Sequence, residues 1–310
     1  MFRPVFNCGH NPFVAAVSGW KAVRVYLDMI KVEHSIFALP FAMIGMMEAS
    51  LAKSGTAWPG VGPFFWILVA MVSCRSAAMA FNRIADRQID AENPRTKMRA
   101  IPAGLLQLRQ VNVFFYASCA IFVFASAMLN PLALMLSPIA LGVTLFYSIT
   151  KRFTPLCHLV LGFSLGIAPA AAWIGVAGTL DPRILWFTAA VTCWTAGFDI
   201  IYSLQDEEFD QSRGLRSLPQ TLGKARALVL SRLLHVGAVG CLVAGAWQLG
   251  VGPNFYMGIV GAASILVYEQ SLVKPADLSR VNVAFFTLNG FVSIGLFAFA
   301  LLDVLLRVRT

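Results

Sequence analysis

Two carboxylates and an amide recur at intervals of four residues in the segment Asn82-Arg-Ile-Ala-Asp86-Arg-Gln-Ile-Asp90, at the end of a long apolar run. A helix brings residues four apart onto one face, so this spacing predicts a polar stripe along successive turns. Ionisable groups inside an apolar bundle are costly and usually functional. The stripe therefore indicates a bound cation or a water-filled cavity.

A second acidic pair with the same spacing, Asp206-x-x-x-Asp210, closes another apolar run. The basic motif Arg99-Ala-Ile-Pro102 likewise has a counterpart in Arg216-Ser-Leu-Pro219. Such internal repeats in membrane proteins commonly place two half-sites around a shared binding site. We therefore expect the two acidic pairs to face one cavity.

Four aspartates held close together would repel one another unless cations neutralised them. Oxygen ligands of this kind suit Mg²⁺, which usually binds through one or two carboxylates together with substrate phosphates. The pattern therefore predicts a diphosphate bridged between two Mg²⁺ ions. The basic residues near the aspartates or at helix ends, which could grip phosphate oxygens, are Arg83, Arg87, Arg95, Lys97, Arg99, Lys151, Arg152, Arg213 and Arg216.

An apolar bundle around a diphosphate site favours a ligand whose organic part is lipid-like, namely a polyprenyl chain. Metal binding at the leaving diphosphate would stabilise the charge that develops as the allylic C–O bond breaks. A dry, aromatic-lined cavity would protect the resulting carbocation from water, and the chain has 24 Phe, 7 Trp and 6 Tyr for such a lining.

The composition is that of an all-α polytopic membrane protein. Of 310 residues, 58% are hydrophobic and 13% charged, and the mean hydropathy is +0.72. The net charge of +9 comes from basic residues between apolar runs, which indicates membrane topology and contact with lipid rather than a nucleic-acid partner. We expect an N-terminal tail over 1–19, without a cleavable signal peptide, and a single membrane-embedded domain over 20–310.

The apolar runs predict nine transmembrane helices, preceded by a surface helix within 18–34. Lys and Arg accumulate before the first run and after every even-numbered run, which predicts an N-in, C-out arrangement with the acidic pairs on the cytoplasmic side, in a bacterial cytoplasmic membrane. The runs are 35–52, 63–90, 111–129, 131–149, 156–177, 184–206, 227–249, 253–272 and 283–306. Arg75 lies well inside the second run, where we expect it to face the interior and donate to backbone carbonyls rather than to substrate.

These motifs resemble those of the UbiA superfamily of intramembrane prenyltransferases, over roughly residues 20–306. Two further stretches agree with the family, Tyr147-x-x-x-Lys151-Arg152 and Asp199-Ile-Ile-Tyr202. The resemblance implies a bundle of about nine helices in which Asp86, Asp90, Asp206 and Asp210 bind Mg²⁺ on the diphosphate, with Asn82 in support. It also implies that Lys151 and Arg152 contact the diphosphate. Tyr147 and Tyr202 occupy motif positions, either at the substrate or as interface anchors, and Arg83 is a candidate substrate contact. Asp199 lies on the same helix face as Asp206 by its spacing, which makes it a candidate hydroxyl orienter or proton acceptor near the acceptor.

The stretch from Glu33 to Phe41 and the segment Asp206-Glu-Glu-Phe-Asp210 look most like 4-hydroxybenzoate polyprenyltransferases, which makes 4-hydroxybenzoate the expected acceptor. The family's basic motif before the first span is replaced here by Lys31-Val-Glu-His34. A dihydroxynaphthoate in menaquinone synthesis, homogentisate, a haem vinyl group and a chlorophyllide therefore stay open as acceptors. Lys31 and His34 are candidate acceptor contacts.

The remaining histidines, His10, His158 and His235, lack ligand-spaced partners and are expected to be surface or packing residues.

One interpretation of another class stays open, because the paired acidic helices could also belong to a cation-coupled transporter. Against that alternative, both acidic pairs lie at helix ends followed by basic loops, which suit a phosphate ligand better than an ion pathway.

Overall fold

The computed structural model describes residues 20–31 and 35–308, and their architecture is helical. Residues 1–19 and His34, for which the sequence predicted a tail and an acceptor contact, lie outside the described part. The helices are α1 (Trp20–Ile30), α2 (Ser35–Ser54), α3 (Val61–Ala85), α4 (Arg87–Glu92), α5 (Leu108–Leu129), α6 (Pro131–Thr150), α7 (Cys157–Ala177), α8 (Leu185–Ser203), α9 (Glu207–Ser212), α10 (Leu218–Leu222), α11 (Lys224–Leu249), α12 (Pro253–Leu272) and α13 (Asn289–Arg307). A π-helical turn, Val283–Leu288, leads into α13.

The long helices coincide with the predicted apolar runs. Seven helical segments in the described part are long and apolar enough to cross a bilayer, so the chain is an integral membrane protein. They are Val61–Ala85, Leu108–Leu129, Pro131–Thr150, Cys157–Ala177, Pro182–Ser212, Lys224–Leu249 and Val283–Arg307. The count of nine spans and the N-in, C-out orientation stay predictions.

Each helix that carries an acidic pair is interrupted at the first aspartate of the pair, and for the second run, predicted as one helix over 63–90, this differs from the prediction. The second run breaks at Asp86 (φ −94°, ψ 5°), between α3 and α4. The sixth run, predicted to end at 206, is followed by the same kind of break at Asp206 (φ −100°, ψ 1°), the last residue of a 3₁₀ turn between α8 and α9. This backbone region is sparsely populated and recurs at active sites, so the two sequence repeats share a local geometry as well as a spacing.

Close packing between helices α2 and α7 sets one wall of the bundle. A Cβ atom on Gly45 would lie 2.2 Å from the carbonyl oxygen of Pro169, so the two backbones touch where a side chain is absent. Gly162 and Gly166 bring α7 equally near α8, where added Cβ atoms would meet Thr192 and Thr188. Small residues are the usual means of close approach between membrane helices.

Helix α1 is amphipathic and, with 11 residues, is about 16 Å long, too short to span a bilayer. Its buried residues Met29 and Ile30 pack near Ala80 of α3, while Trp20 is exposed. This agrees with the predicted surface helix. Arg75 of α3 donates to the carbonyl oxygen of Lys31, the residue after α1, at 3.0 Å, which agrees with the predicted donation to a backbone carbonyl.

Candidate active site

A cavity of about 1140 Å³ opens at the end of the bundle that carries both acidic pairs. It brings together the predicted metal-binding, donor-binding and acceptor residues within the described ranges, whereas four of the predicted phosphate-binding cations, Arg87, Lys97, Arg213 and Arg216, do not line it. The residues brought together are Lys31, Asn82, Arg83, Asp86, Asp90, Tyr147, Lys151, Arg152, Asp199, Tyr202, Asp206 and Asp210. The prediction that the two acidic pairs share one cavity is therefore confirmed.

Asp86 lies at the break between α3 and α4 and is held from two sides. The Asn82 amide donates to Oδ2 at 2.9 Å. Arg152 lies 3.3 Å from Oδ1 and also donates to the carbonyl oxygen of Ala85. Burial, followed by repulsion from Asp90, raises the pKa of Asp86 above its ordinary value.

Asp90 is buried and paired with two guanidinium groups. Nη1 of Arg99 donates to Oδ1 at 2.7 Å, whereas Nη1 of Arg83 lies 3.5 Å from Oδ2. Oδ2 of Asp90 and Nη1 of Arg83 make no hydrogen bond with described residues. Since a buried donor and acceptor are seldom left unpaired, this point in the cavity suits a further polar ligand.

Asp206 is bound by Arg95 from the first half of the chain. Nε and Nη2 of Arg95 donate to the two carboxylate oxygens at 2.9 and 2.6 Å, and Nη1 donates to the Tyr202 hydroxyl at 3.0 Å. The guanidinium also stands 5.2 Å from the Tyr202 ring centre. Asn93 adds a longer contact to Asp206 at 3.5 Å. Residues that follow the first acidic pair therefore bind the second acidic pair.

Asp210 is almost fully buried and paired with Lys151, whose Nζ lies 2.9 Å from Oδ1 and 2.7 Å from Oδ2. Burial alone would lower the pKa of Lys151, but the Asp210 carboxylate outweighs it and raises that pKa. Lys151 is therefore a fixed positive charge beside the second acidic pair.

Asp199 faces the cavity one turn before Tyr202 and is paired with His158. Nδ1 of the imidazole lies 2.6 Å from Oδ2 of Asp199, and the His158 side chain is 1% exposed. The expectation that His158 is a surface or plain packing residue is therefore wrong, because it lies at the site. The two residues are distant in sequence, and only the unmatched polarity of His158 within an apolar run hinted at a partner.

The inner part of the cavity is apolar. Aliphatic side chains of α3, α6 and α7 line it, among them Ile67, Met71, Val143 and Leu161. Beside Tyr202, the ring of Phe285 stacks 4.1 Å away. Three further aromatic lining residues, Phe37, Phe198 and Phe286, pack on Phe285 at 5.8, 5.2 and 4.6 Å between ring centres.

Phe285 and Phe286 belong to the π-helical turn that precedes α13, and a buried amide holds this turn. The Asn289 side chain donates to the carbonyl oxygens of Ala284 and Phe285, at 3.0 and 3.3 Å. It also donates to Glu269 and accepts from Trp194, at 3.2 and 2.6 Å. The aromatic wall therefore rests on a network of buried hydrogen bonds, which tends to rigidify its surroundings.

The carboxylate oxygens around the cavity fit Mg²⁺ only if a phosphate ligand completes the coordination. Four aspartate side chains supply the oxygen ligands that Mg²⁺ prefers. Within residues 20–31 and 35–308, however, no three His, Cys, Asp or Glu side chains are close enough to enclose a metal by themselves. The residues therefore fit an ion that shares its coordination with a phosphate ligand, and Asp86, Asp90, Asp206 and Asp210 are those that would hold it.

A sequence profile of the UbiA prenyltransferase family matches residues 38–293. The chain belongs to this family. Among curated relatives it is 30% identical to the 4-hydroxybenzoate octaprenyltransferase of Vibrio atlanticus over 278 residues, which is 88% of the chain and 96% of the relative. It is 26% identical to the enzyme of the same name from Shewanella woodyi, over 86% and 92% of the two chains.

Solved structures of UbiA homologues share the fold. One from Aeropyrum pernix superposes with a TM-score of 0.79 at 35% identity, covering 88% of this chain and 98% of the other. Another, from Archaeoglobus fulgidus bound to GPP and Mg²⁺, has a TM-score of 0.71 at 17% identity, over 90% and 99% of the chains. As a UbiA prenyltransferase the chain is an enzyme, which favours catalysis over the transporter alternative.

Proposed function

We propose that this enzyme transfers a polyprenyl group from polyprenyl diphosphate to an aromatic ring carbon and releases pyrophosphate. The observation that carries the proposal is a single cavity whose mouth holds four aspartates with their cations and whose depth is apolar. A polyprenyl diphosphate likewise has a charged diphosphate end, which matches the mouth, and an apolar chain, which matches the depth. The membrane lipid around the bundle is the phase that dissolves such a donor.

We assign the roles of the site residues on the basis of their contacts. Asp86, Asp90, Asp206 and Asp210 bind Mg²⁺, which when present offsets the charge that develops on the leaving diphosphate. Support for the metal comes from the A. fulgidus homologue, which was solved with GPP and with DMAPP, each with Mg²⁺. The cations now paired with these aspartates, Arg83, Arg95, Arg99, Lys151 and Arg152, are free to turn to phosphate oxygens once a metal takes the carboxylates.

The acceptor that the relatives favour is 4-hydroxybenzoate, since curated enzymes that act on it align with 88% and 86% of this chain. The product would then be a precursor of ubiquinone. The second candidate is a dihydroxynaphthoate, which would place the same chemistry in menaquinone synthesis. An active site on the cytoplasmic side, as the distribution of Lys and Arg predicts, would give both water-soluble acceptors direct access.

A mass-spectrometric acceptor screen tests this function. The purified protein is incubated with Mg²⁺, one polyprenyl diphosphate and either 4-hydroxybenzoate or a dihydroxynaphthoate, and both prenylated product and pyrophosphate are measured. Asp86→Ala and Asp206→Ala should each abolish both, whereas Asp277→Ala, at an exposed loop position, should not. Full activity in the first two variants, or ion flux without pyrophosphate in vesicles, would overturn the assignment.

A further inference from the structure

The His158 imidazole is fixed at both nitrogens. Its Nδ1 lies 2.6 Å from Oδ2 of Asp199, and its Nε2 accepts a hydrogen bond from the backbone N–H of Leu218 at 3.3 Å. Because Nε2 is the acceptor, the proton of the neutral ring lies on Nδ1 and is donated to Asp199. This arrangement makes Oδ2 of Asp199 a hydrogen-bond acceptor.

The second oxygen of Asp199 is available to the cavity. Within the described ranges no side chain or backbone N–H donates to Oδ1, and the Asp199 side chain is 14% exposed although its partner His158 is 1% exposed. Asp199 itself lines the cavity. The carboxylate thus has one oxygen tied to His158 and one oxygen that can accept from a ligand.

A short connector links this pair to the diphosphate end of the cavity. The backbone N–H of Arg216 donates to the carbonyl oxygen of Lys151 at 2.7 Å, and its Nη1 donates to the carbonyl oxygen of Phe153 at 2.8 Å. Leu218, which holds His158, follows on the same connector. Lys151 in turn binds Asp210, so hydrogen bonds run from the second acidic pair to Asp199.

We propose that His158 is a positioning residue that holds the Asp199 carboxylate with Oδ1 directed at the hydroxyl group of a phenolic acceptor. This inference rests on the proposed function and adds a residue to it. His158 cannot relay a proton through Nε2, because that nitrogen accepts a hydrogen bond from the backbone N–H of Leu218. It acts through Asp199 alone, as the orienting group does in other base-and-orienter pairs.

The step in which Asp199 acts is an electrophilic substitution. Asp199 takes the phenolic proton, and an oxygen electron pair moves into the ring. The ring carbon bonds to C1 of the prenyl group as the C1–O bond breaks, and that bonding pair leaves on the diphosphate. The ring carbon then gives its proton to the pyrophosphate product, and Asp199 returns its proton to the oxygen. No oxidant or reductant is needed.

The test compares His158→Leu with His158→Gln, because a glutamine amide can both donate to Asp199 and accept from Leu218. For His158→Leu we expect kcat/KM for the acceptor to fall about 10- to 100-fold, the range for lost orienting partners. We expect His158→Gln to recover it to within about fivefold of the unmutated enzyme. Binding of a prenyl thiolodiphosphate with Mg²⁺ should stay within about twofold in both variants, because the acidic pairs are untouched.

A double variant separates positioning from general damage. If His158 acts only through Asp199, then His158→Leu combined with Asp199→Asn should be no slower than Asp199→Asn alone. Additive losses, equal losses in the leucine and glutamine variants, or unchanged kinetics in His158→Leu would each overturn the inference. An unmutated enzyme that prenylates no acceptor would instead overturn the proposed function, before any variant is compared.

Discussion

Arg95 forms a two-pronged ion pair with Asp206, with Nε and Nη2 donating at 2.9 and 2.6 Å to the two carboxylate oxygens. The pair joins the connector after α4 to the 3₁₀ turn after α8, which lie in different halves of the chain. In the opposite direction, Arg213 of the second half forms an ion pair with Glu92 of α4 at 2.6 Å. The segments that carry the two acidic pairs are therefore joined by two ion pairs, one with its arginine in each half of the chain.

Arg95→Ala should change metal and donor binding in opposite directions. Without the guanidinium, both oxygens of Asp206 are free, so Mn²⁺ should bind the donor-free protein about tenfold more tightly. The prenyl diphosphate should bind more weakly, because a phosphate contact is lost. Both affinities are measured by titration calorimetry, with Arg109→Ala, at an exposed residue of α5, as the matched control. Weaker metal binding in Arg95→Ala would contradict the competition.

Lys151 and Arg152 are adjacent but should differ in their effect on stability. Lys151→Met leaves the nearly fully buried Asp210 without its partner, which should cost about 3 kcal/mol of folding free energy. Arg152 is 44% exposed and 3.3 Å from Asp86, so Arg152→Gln should change stability by less than about 1 kcal/mol while weakening donor binding. Thermal unfolding in detergent measures the first effect and donor titration the second.

The pH dependence of the Lys151→Met effect has a definite sign. The pKa of Lys151 is raised in the folded protein, so its stabilising contribution is complete below the ordinary lysine pKa of about 10.4 and is lost as the pH rises through the folded value. The difference in melting temperature should be constant from about pH 7 to 9. A difference that shrinks within that range would show that the ion pair is not its cause.

Local spacing predicted the acidic stripe because the backbone hydrogen bonds from Asp86 to Asn82 and from Asp90 to Asp86 continue through the helix break, at 2.9 and 2.7 Å. The break itself was not predictable, since neither Gly nor Pro marks it. The contact between His158 and Asp199 spans 41 residues, and a single sequence carries no signal for such a pair. Local periodicity thus predicted the helical membrane class and the acidic pairs, whereas long-range partners such as His158 and Asp199 needed coordinates.

Gly45→Ala should destabilise the bundle. The added Cβ would lie 2.2 Å from the carbonyl oxygen of Pro169. Because the Cβ is fixed to the backbone of α2 and the oxygen belongs to the backbone of α7, the two helices would have to separate, at a cost of about 1–3 kcal/mol. Gly142→Ala in α6 is the matched control, because nothing lies within 4 Å of its Cβ and helix propensity favours alanine by about 1 kcal/mol. Thermal unfolding should therefore move in opposite directions for the two variants, and a Gly45→Ala protein as stable as the unmutated one would contradict the close packing.

The charges at the cavity mouth make metal and donor binding interdependent. Each of the four aspartates already faces at least one Arg or Lys, so a divalent ion entering alone must displace a cation that then lacks a partner. A diphosphate entering alone must in turn take those cations from the aspartates. When both enter, the metals take the carboxylates and the cations take the phosphate oxygens, and no charge is left unpaired.

We therefore expect Mg²⁺ to bind weakly in the absence of donor, and the two ligands to raise each other's affinity by the same factor, about tenfold or more, as linkage requires. Calorimetric titration of Mg²⁺ with and without a prenyl thiolodiphosphate, and of the analogue with and without Mg²⁺, measures both factors. Asp206→Asn should reduce this coupling. The substitution removes one carboxylate ligand of the metal, and Arg95 loses its ion-pair partner even before any metal binds. Tight Mg²⁺ binding to the donor-free protein would contradict this account, since it would require a complete ligand set that the described side chains do not form by themselves.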